Sequence, residues 1–146
     1  MLGMASREEN LAAVQRYFAA AAVADADQML EPWTDDLVYE ERFSDPPRRI
    51  EGKEAARVYF SKAGTVFRMT LELTEVHDCL DPDKLVLEYT SHGHVVPTGD
   101  SYENSYIGVY RFRDGRIWQA REFHNPLITQ RARPPGVVIE QATLPE

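Results

Sequence analysis

The chain contains one cysteine, Cys79, so it can form no internal disulfide and no multi-cysteine zinc site. Cys79 reads as a small buried hydrophobe. No apolar run approaches the roughly 20 residues of a membrane-spanning helix, which argues against a membrane protein. The opening Met-Leu-Gly-Met-Ala-Ser-Arg-Glu-Glu-Asn lacks the basic-then-apolar pattern of a secretory leader, so cytoplasmic residence is the expectation. A glycine-rich phosphate loop, a Gly-x-Ser-x-Gly elbow and a dinucleotide fingerprint are also missing, which sets aside kinase, α/β-hydrolase and dehydrogenase readings. Positive charge is scarce: 16 Lys and Arg against 24 Asp and Glu leave a net charge of −8, which repels a nucleic-acid backbone. Within 111–133, however, six arginines (Arg111, Arg113, Arg116, Arg121, Arg131, Arg133) face only Asp114 and Glu122. They are either a solvated surface or a local field suited to a small anion.

What is present is an ordinary globular composition, 43% hydrophobic and 27% charged over 146 residues, expected to form a single domain across 1–146. Ser6 and Glu9 make a capping box, and Leu11, Val14, Phe18, Ala21 and Ala22 follow at helical spacing, predicting a helix over 6–24. Asp25 and Asp27 suit the cap of a short second helix near 28–30, ended by Pro32. Residues 37–41 read as extended and 44–49 as a loop. Residues 52–64 read as a third helix between two glycines, with Gly64 suited to a left-handed C-terminal cap.

From residue 66 the period becomes two. Phe67, Met69, Leu71 and Leu73 alternate with polar residues, and the phase slips at Glu75-Val76, predicting a β-bulge. Leu85, Leu87 and Tyr89 alternate after the Asp81–Lys84 turn, a strand follows over about 102–113, and Asp114-Gly115 predicts a tight hairpin into 116–123. Asn125-Pro126 ends that strand, and an extended arm is expected over about 134–146. Three N-terminal helices before one early strand and a four-stranded meander predict an α+β domain, its helices packed on a curved antiparallel sheet. Such a sheet leaves a cone-shaped hollow for a small molecule.

Strand parity then nominates site residues. Trp118, Ala120 and Glu122 share a face, opposite Ile117, Gln119, Arg121 and Phe123. If that face looks into the cone, Glu122 is a carboxyl near apolar surface, with its pKa raised into the range of a general acid or base. The bland alternative is a solvent-facing Glu paired to an arginine. Glu88, His92 and His94 also share a parity: they are a Glu–His pair at the cone, a His-x-His metal site, or an exposed polar face. Tyr59 on the third helix, and Asn104 and Tyr106 on the penultimate strand, complete the candidates. Tyr59 could equally be a core residue, and Asn104 a turn residue.

The order of elements, with Asp81-Pro82, Glu88-Tyr89-Thr90-Ser91-His92-Gly93, Tyr102-Glu103-Asn104, Asp114-Gly115-Arg116-Ile117 and Arg121-Glu122-Phe123-His124-Asn125, resembles the nuclear transport factor 2-like (SnoaL-like) superfamily. That superfamily includes ketosteroid isomerase, polyketide cyclases, scytalone dehydratase and limonene epoxide hydrolase. Residues 50–146 are most similar to the phenazine-biosynthesis A/B proteins. The resemblance implies the cone-shaped fold, a homodimer, and a pocket without metal or organic cofactor that serves secondary metabolism. It implies general acid/base condensation, dehydration, cyclisation or isomerisation of a small cyclic, possibly carboxylated substrate, with the family's catalytic carboxylic acid falling on Glu122. The family's pocket histidine on the third helix falls on Tyr59. A tyrosine can donate a hydrogen bond but, with a pKa near 10, does not shuttle protons at neutral pH as histidine does, so the resemblance does not carry over the phenazine substrate itself. The stretch 37–49 also lacks the family's glycine-rich loop. Two other readings stay open: a non-catalytic binding module of the same fold, and a metal-dependent enzyme using His92 and His94.

Overall fold

A computed structural model of the chain describes residues 5–137. The Ser6 hydroxyl accepts the Glu9 amide at 3.1 Å and starts α1 (Arg7–Ala22). Asn10, Ala13, Val14, Tyr17 and Phe18 form its buried stripe. Asp25 caps α2 (Ala26–Leu30). The chain then forms β1 (Trp33–Glu41), β2 (Arg48–Glu51), α3 (Lys53–Val66), β3 (Phe67–Asp78), β4 (Lys84–Val95), β5 (Ser101–Arg113), β6 (Arg116–His124) and α4 (Pro126–Ala132).

The strands form one sheet in the order β2-β1-β6-β5-β4-β3. All neighbours are antiparallel except β1 and β6, so the sheet is the expected antiparallel one with a single parallel pair, where β1 joins it. The sixth strand is β2: Arg48 and Arg49, assigned to a loop from their Pro-Pro approach, pair with Glu41 and Glu40 on β1. The third helix also outruns its predicted end. Phe67 N bonds to Ala63 O, and Gly64 lies inside the helix, where an added Cβ would sit 3.2 Å from Ala24 Cβ; close approach explains that glycine better than a left-handed cap does. Cys79 is half-buried just past β3, not in the core.

Two irregularities set which side chains face the core. The bulge expected near Glu75 lies between Leu73 and Glu75. A second one follows the Asp114-Gly115 hairpin, whose φ values of 49° and 76° are the left-handed pair that such a turn needs. Phe112 pairs with Ile117 and Arg111 with Gln119, leaving Trp118 without a partner on β5. This extra residue reverses the expected parity: Ile117 is buried, and Trp118 turns away to meet Arg113, whose guanidinium lies 4.5 Å from the indole centre.

α4 was not foreseen. Asn125 caps it through Leu127 N and Pro126 occupies its first turn, a pairing that starts a helix as readily as it ends a strand. Asn104 holds it against the sheet, its Nδ2 donating to Asn125 O at 3.1 Å and Thr129 Oγ1 at 3.3 Å, and its Oδ1 accepting Asn125 N. Asn104→Ala would orphan these buried groups and should cost about 1–3 kcal/mol in chemical denaturation. Most of the predicted C-terminal arm, from residue 138, lies outside the described residues; 134–137 form a turn closed by Val137 N on Pro134 O. Among the described residues no helix is long and apolar enough to cross a membrane.

Candidate active site

Between the helices and the concave face of the sheet lies a cavity of about 150 Å³, with Tyr17, Tyr39, Tyr59, Phe60 and Tyr106 in its walls. An apolar hollow of about this size takes one six-membered ring. At its polar end stand two carboxyl groups, Glu122 on β6 and Glu41 on β1. They are partners in the parallel β1–β6 register, which places them side by side.

The two carboxyls are held differently. Glu41 is enclosed by donors: Tyr59 OH at 2.5 Å, Tyr39 OH at 3.0 Å, Ser44 Oγ at 2.9 Å and the buried Arg48 guanidinium. Arg48 also donates to Tyr59 OH at 2.8 Å. Among the described residues the hydrogen-bond partners of Glu122 are phenols, Tyr89 OH at 2.6 Å and Tyr39 OH at 3.3 Å. Glycine at 108, the β5 partner of Glu122, leaves the room for this: an added Cβ would lie 2.9 Å from the Tyr89 hydroxyl and 2.4 Å from Tyr110 Cε1.

Burial disfavours the charge on both acids, and their partners decide the outcome. At Glu41 the Arg48 charge and the Tyr59 hydrogen bond overcome burial and hold the pKa below its usual value. At Glu122 burial, reinforced by the negative charge of Glu41, outweighs the bonds from Tyr89 and Tyr39, and the pKa is pushed up to about 7. Below about pH 7 the pair therefore carries one proton, held on Glu122, and near neutral pH it exchanges that proton readily. Tyr39 has one hydrogen for two carboxyls. Donating it to ionised Glu41 while accepting the proton of neutral Glu122 satisfies all three groups. Burial and neighbouring negative charge also raise the phenols Tyr39, Tyr59 and Tyr89 well above their usual value, so they serve here as donors.

Of the residues nominated from sequence, the structure brings Glu122, Tyr59 and Tyr106 to the cavity. Trp118 is outside it for the bulge reason given above. Glu88 and His92 lie on the opposite, convex face, because Leu85, Leu87, Tyr89 and Ser91 are the inward residues of β4. There Glu88 pairs with His77 at 2.6 Å, and His92 is 3.5 Å from Glu103. The proposed His-x-His centre is not assembled: among the described residues, the ligand-type groups that cluster are Glu75, His77 and Glu88, without His92 or His94. Asn104 fixes α4 and does not line the cavity. Of the six arginines, Arg133 lines the cavity, whereas Arg113 pairs with Asp36 at 2.9 Å and Arg116 with Glu31 O at 3.2 Å.

Glu41, Tyr39, Arg48, Tyr89 and His124 are cavity or hydrogen-bonding residues that sequence reasoning missed. A signal existed for two of them: Leu37, Tyr39 and Glu41 alternate on one face, and His124 continues the phase of Ala120 and Glu122.

A helix-covered curved sheet, closing over a one-ring cavity with a carboxyl pair at its polar end, defines a small-molecule pocket of the cone-shaped α+β class. Residues 14–120 match the SnoaL-like domain family, and the chain belongs to it. It is 30% identical over 122 residues to the uncharacterized protein YesE of Bacillus subtilis, covering 82% of this chain and 83% of that one. An uncharacterized PhzA/B-like protein of Pseudomonas aeruginosa is 36% identical over 81 residues, 54% of this chain and 56% of its own. The crystal structure of a Bacillus subtilis protein provisionally called an isomerase superposes with a TM-score of 0.82 at 29% identity, covering 91% of this chain and 97% of that one.

Proposed function

We propose that this protein is an enzyme that moves protons on a small one-ring carbonyl compound by general acid/base catalysis, with Glu122 as the exchanging group. The carrying observation is the carboxyl pair, in which Arg48 keeps Glu41 ionised and Glu41 in turn helps keep a proton on Glu122 near pH 7. A group whose pKa matches the working pH is at its most effective in either direction of proton transfer. The isomerase and PhzA/B-like names among the relatives agree with such chemistry. Tyr59 fixes Glu41, and Tyr106 borders the ring.

The test is hydrogen exchange: at pH 7 in D₂O the protein should replace the α-hydrogens of cyclohexanone with deuterium faster than buffer does, read by proton NMR. Binding without exchange would mark a non-catalytic binding module instead. We also expect a homodimer formed through the convex sheet face. Ile107 and Phe123 are β5–β6 partners there, and Phe43 packs edge-on to Phe123 at 5.2 Å while itself 57% exposed. Light scattering after size exclusion should give twice the chain mass, falling to one chain in Ile107→Glu.

A further inference from the structure

We propose that His124 is a second proton-transfer group of this cavity, serving as base while Glu122 serves as acid. His124 lines the cavity at the end of β6, two residues from Glu122 on the same strand face, and is only 9% exposed. Its Nδ1 is shut off from solvent without a hydrogen-bond partner, and among the described residues Nε2 has none either. Tyr106 OH donates to Ser91 Oγ at 2.9 Å and Tyr102 OH shares a bond with Thr129 Oγ1 at 3.0 Å, while Arg133 Nε, also at the cavity, is buried without a partner. Nδ1 is closed to a ligand as it is to solvent, which leaves the unbonded Nε2, beside an exchanging carboxyl, as the nitrogen that can take a partner from the ligand.

The charges around it suit a neutral base. Burial lowers its pKa below the usual value, and Arg48 on β2 acts in the same direction. Glu41 on β1 acts against them, and would stabilise an imidazolium once formed. Glu122 on the same strand, the Tyr106 ring stacked on it from β5 and Arg133 beyond α4 complete its surroundings. With Nδ1 closed off, the proton is taken at Nε2, which carries the lone pair in the neutral tautomer whose hydrogen is on Nδ1; the imidazolium formed carries a hydrogen on both nitrogens.

Two residues along a strand separate Cα atoms by about 6.6 Å. That spacing spans a carbonyl oxygen and an adjacent C–H, each at hydrogen-bond range of its partner. The C–H proton passes to His124, giving an imidazolium. The electron pair of that bond forms the C=C of an enol, and the Glu122 proton passes to the carbonyl oxygen, leaving a carboxylate. Neutral acid and neutral base become an ion pair, and the reverse transfers restore both, so no co-reactant is needed.

This inference rests on the acid/base reading of Glu122, and the experiment separates the two. Cyclohexanone exchange in D₂O is measured for the wild type, His124→Gln, and His124→Ala with and without added imidazole, with cyclohexanone binding followed by NMR. The expected result is a fall of at least about 100-fold in His124→Gln with binding within a few-fold, and partial recovery of His124→Ala by imidazole. Exchange by His124→Gln at the wild-type rate, or loss in His124→Ala that imidazole does not restore, overturns the role of His124 and leaves that of Glu122 standing. Absence of exchange by the wild type removes both.

Discussion

Glu122→Gln should lower the exchange of cyclohexanone α-hydrogens by about 10²–10⁴-fold while its affinity for the ketone stays within a few-fold. Glutamine keeps the shape of the protonated acid and can still bond to the phenols of Tyr39 and Tyr89, but it has no proton to trade near pH 7. A second readout is independent of any ligand. In the folded protein Glu122 moves from its ordinary 4.5 up to about 7, so between those values the folded state holds a proton that the unfolded chain has lost. Stability from this group is intact below pH 4.5 and declines as pH rises, by about 3 kcal/mol once pH exceeds 7. The glutamine variant escapes that decline. Its melting temperature relative to wild type should therefore climb between pH 4.5 and pH 8, and a difference that is flat with pH would mean that position 122 is not tuned by burial.

Arg48→Met should be among the most destabilising single changes in the chain, by about 3–5 kcal/mol, because it leaves the Glu41 carboxylate buried without its ion pair. A loss of that size should lower the melting temperature by roughly 10 °C or more. Adding Glu41→Gln to Arg48→Met should recover a good part of the loss, since the stranded charge goes with it; the double-mutant cycle measures the coupling. The same pair of variants reports on catalysis. With Glu41 neutral, the charge that helps hold the proton on Glu122 is gone; loss of Arg48, which lowers the Glu122 pKa, acts the other way but more weakly, so the alkaline fall of exchange should shift from about pH 7 to lower pH. An unmoved profile would mean that the Glu41 charge does not outweigh that of Arg48 at Glu122.

Which parts of the site were legible follows from what strand parity can carry. The nomination of Glu122 assumed unbroken alternation from Trp118. The structure breaks that alternation at 118 and still places Ala120 and Glu122 inward, because the extra residue sits before them. Glu88 and His92 were nominated by the same rule, but parity sorts residues into two faces without saying which is the inside, and the apolar set Leu85, Leu87 and Tyr89 marked the other one. Glu41 was given no role because the sequence shows it only as the end of an extended stretch, 37–41. Only the pairing of β1 with β2 and β6 reveals that Arg48 and Glu122 are its neighbours, across separations of 7 and 81 residues.

By itself the sequence determined the class of fold, the capped first helix, the bulge in β3 and the tight turn at Asp114-Gly115, because each depends on side-chain chemistry acting within a few residues of itself. Only the tertiary structure decided that two distant glutamates become one titrating pair, that an arginine from an apparent loop fixes which of them is charged, and that His124 stands unbonded beside them. Proton affinity inside a protein is set by burial and by charges brought close through space, and neither is written in the order of residues along a chain.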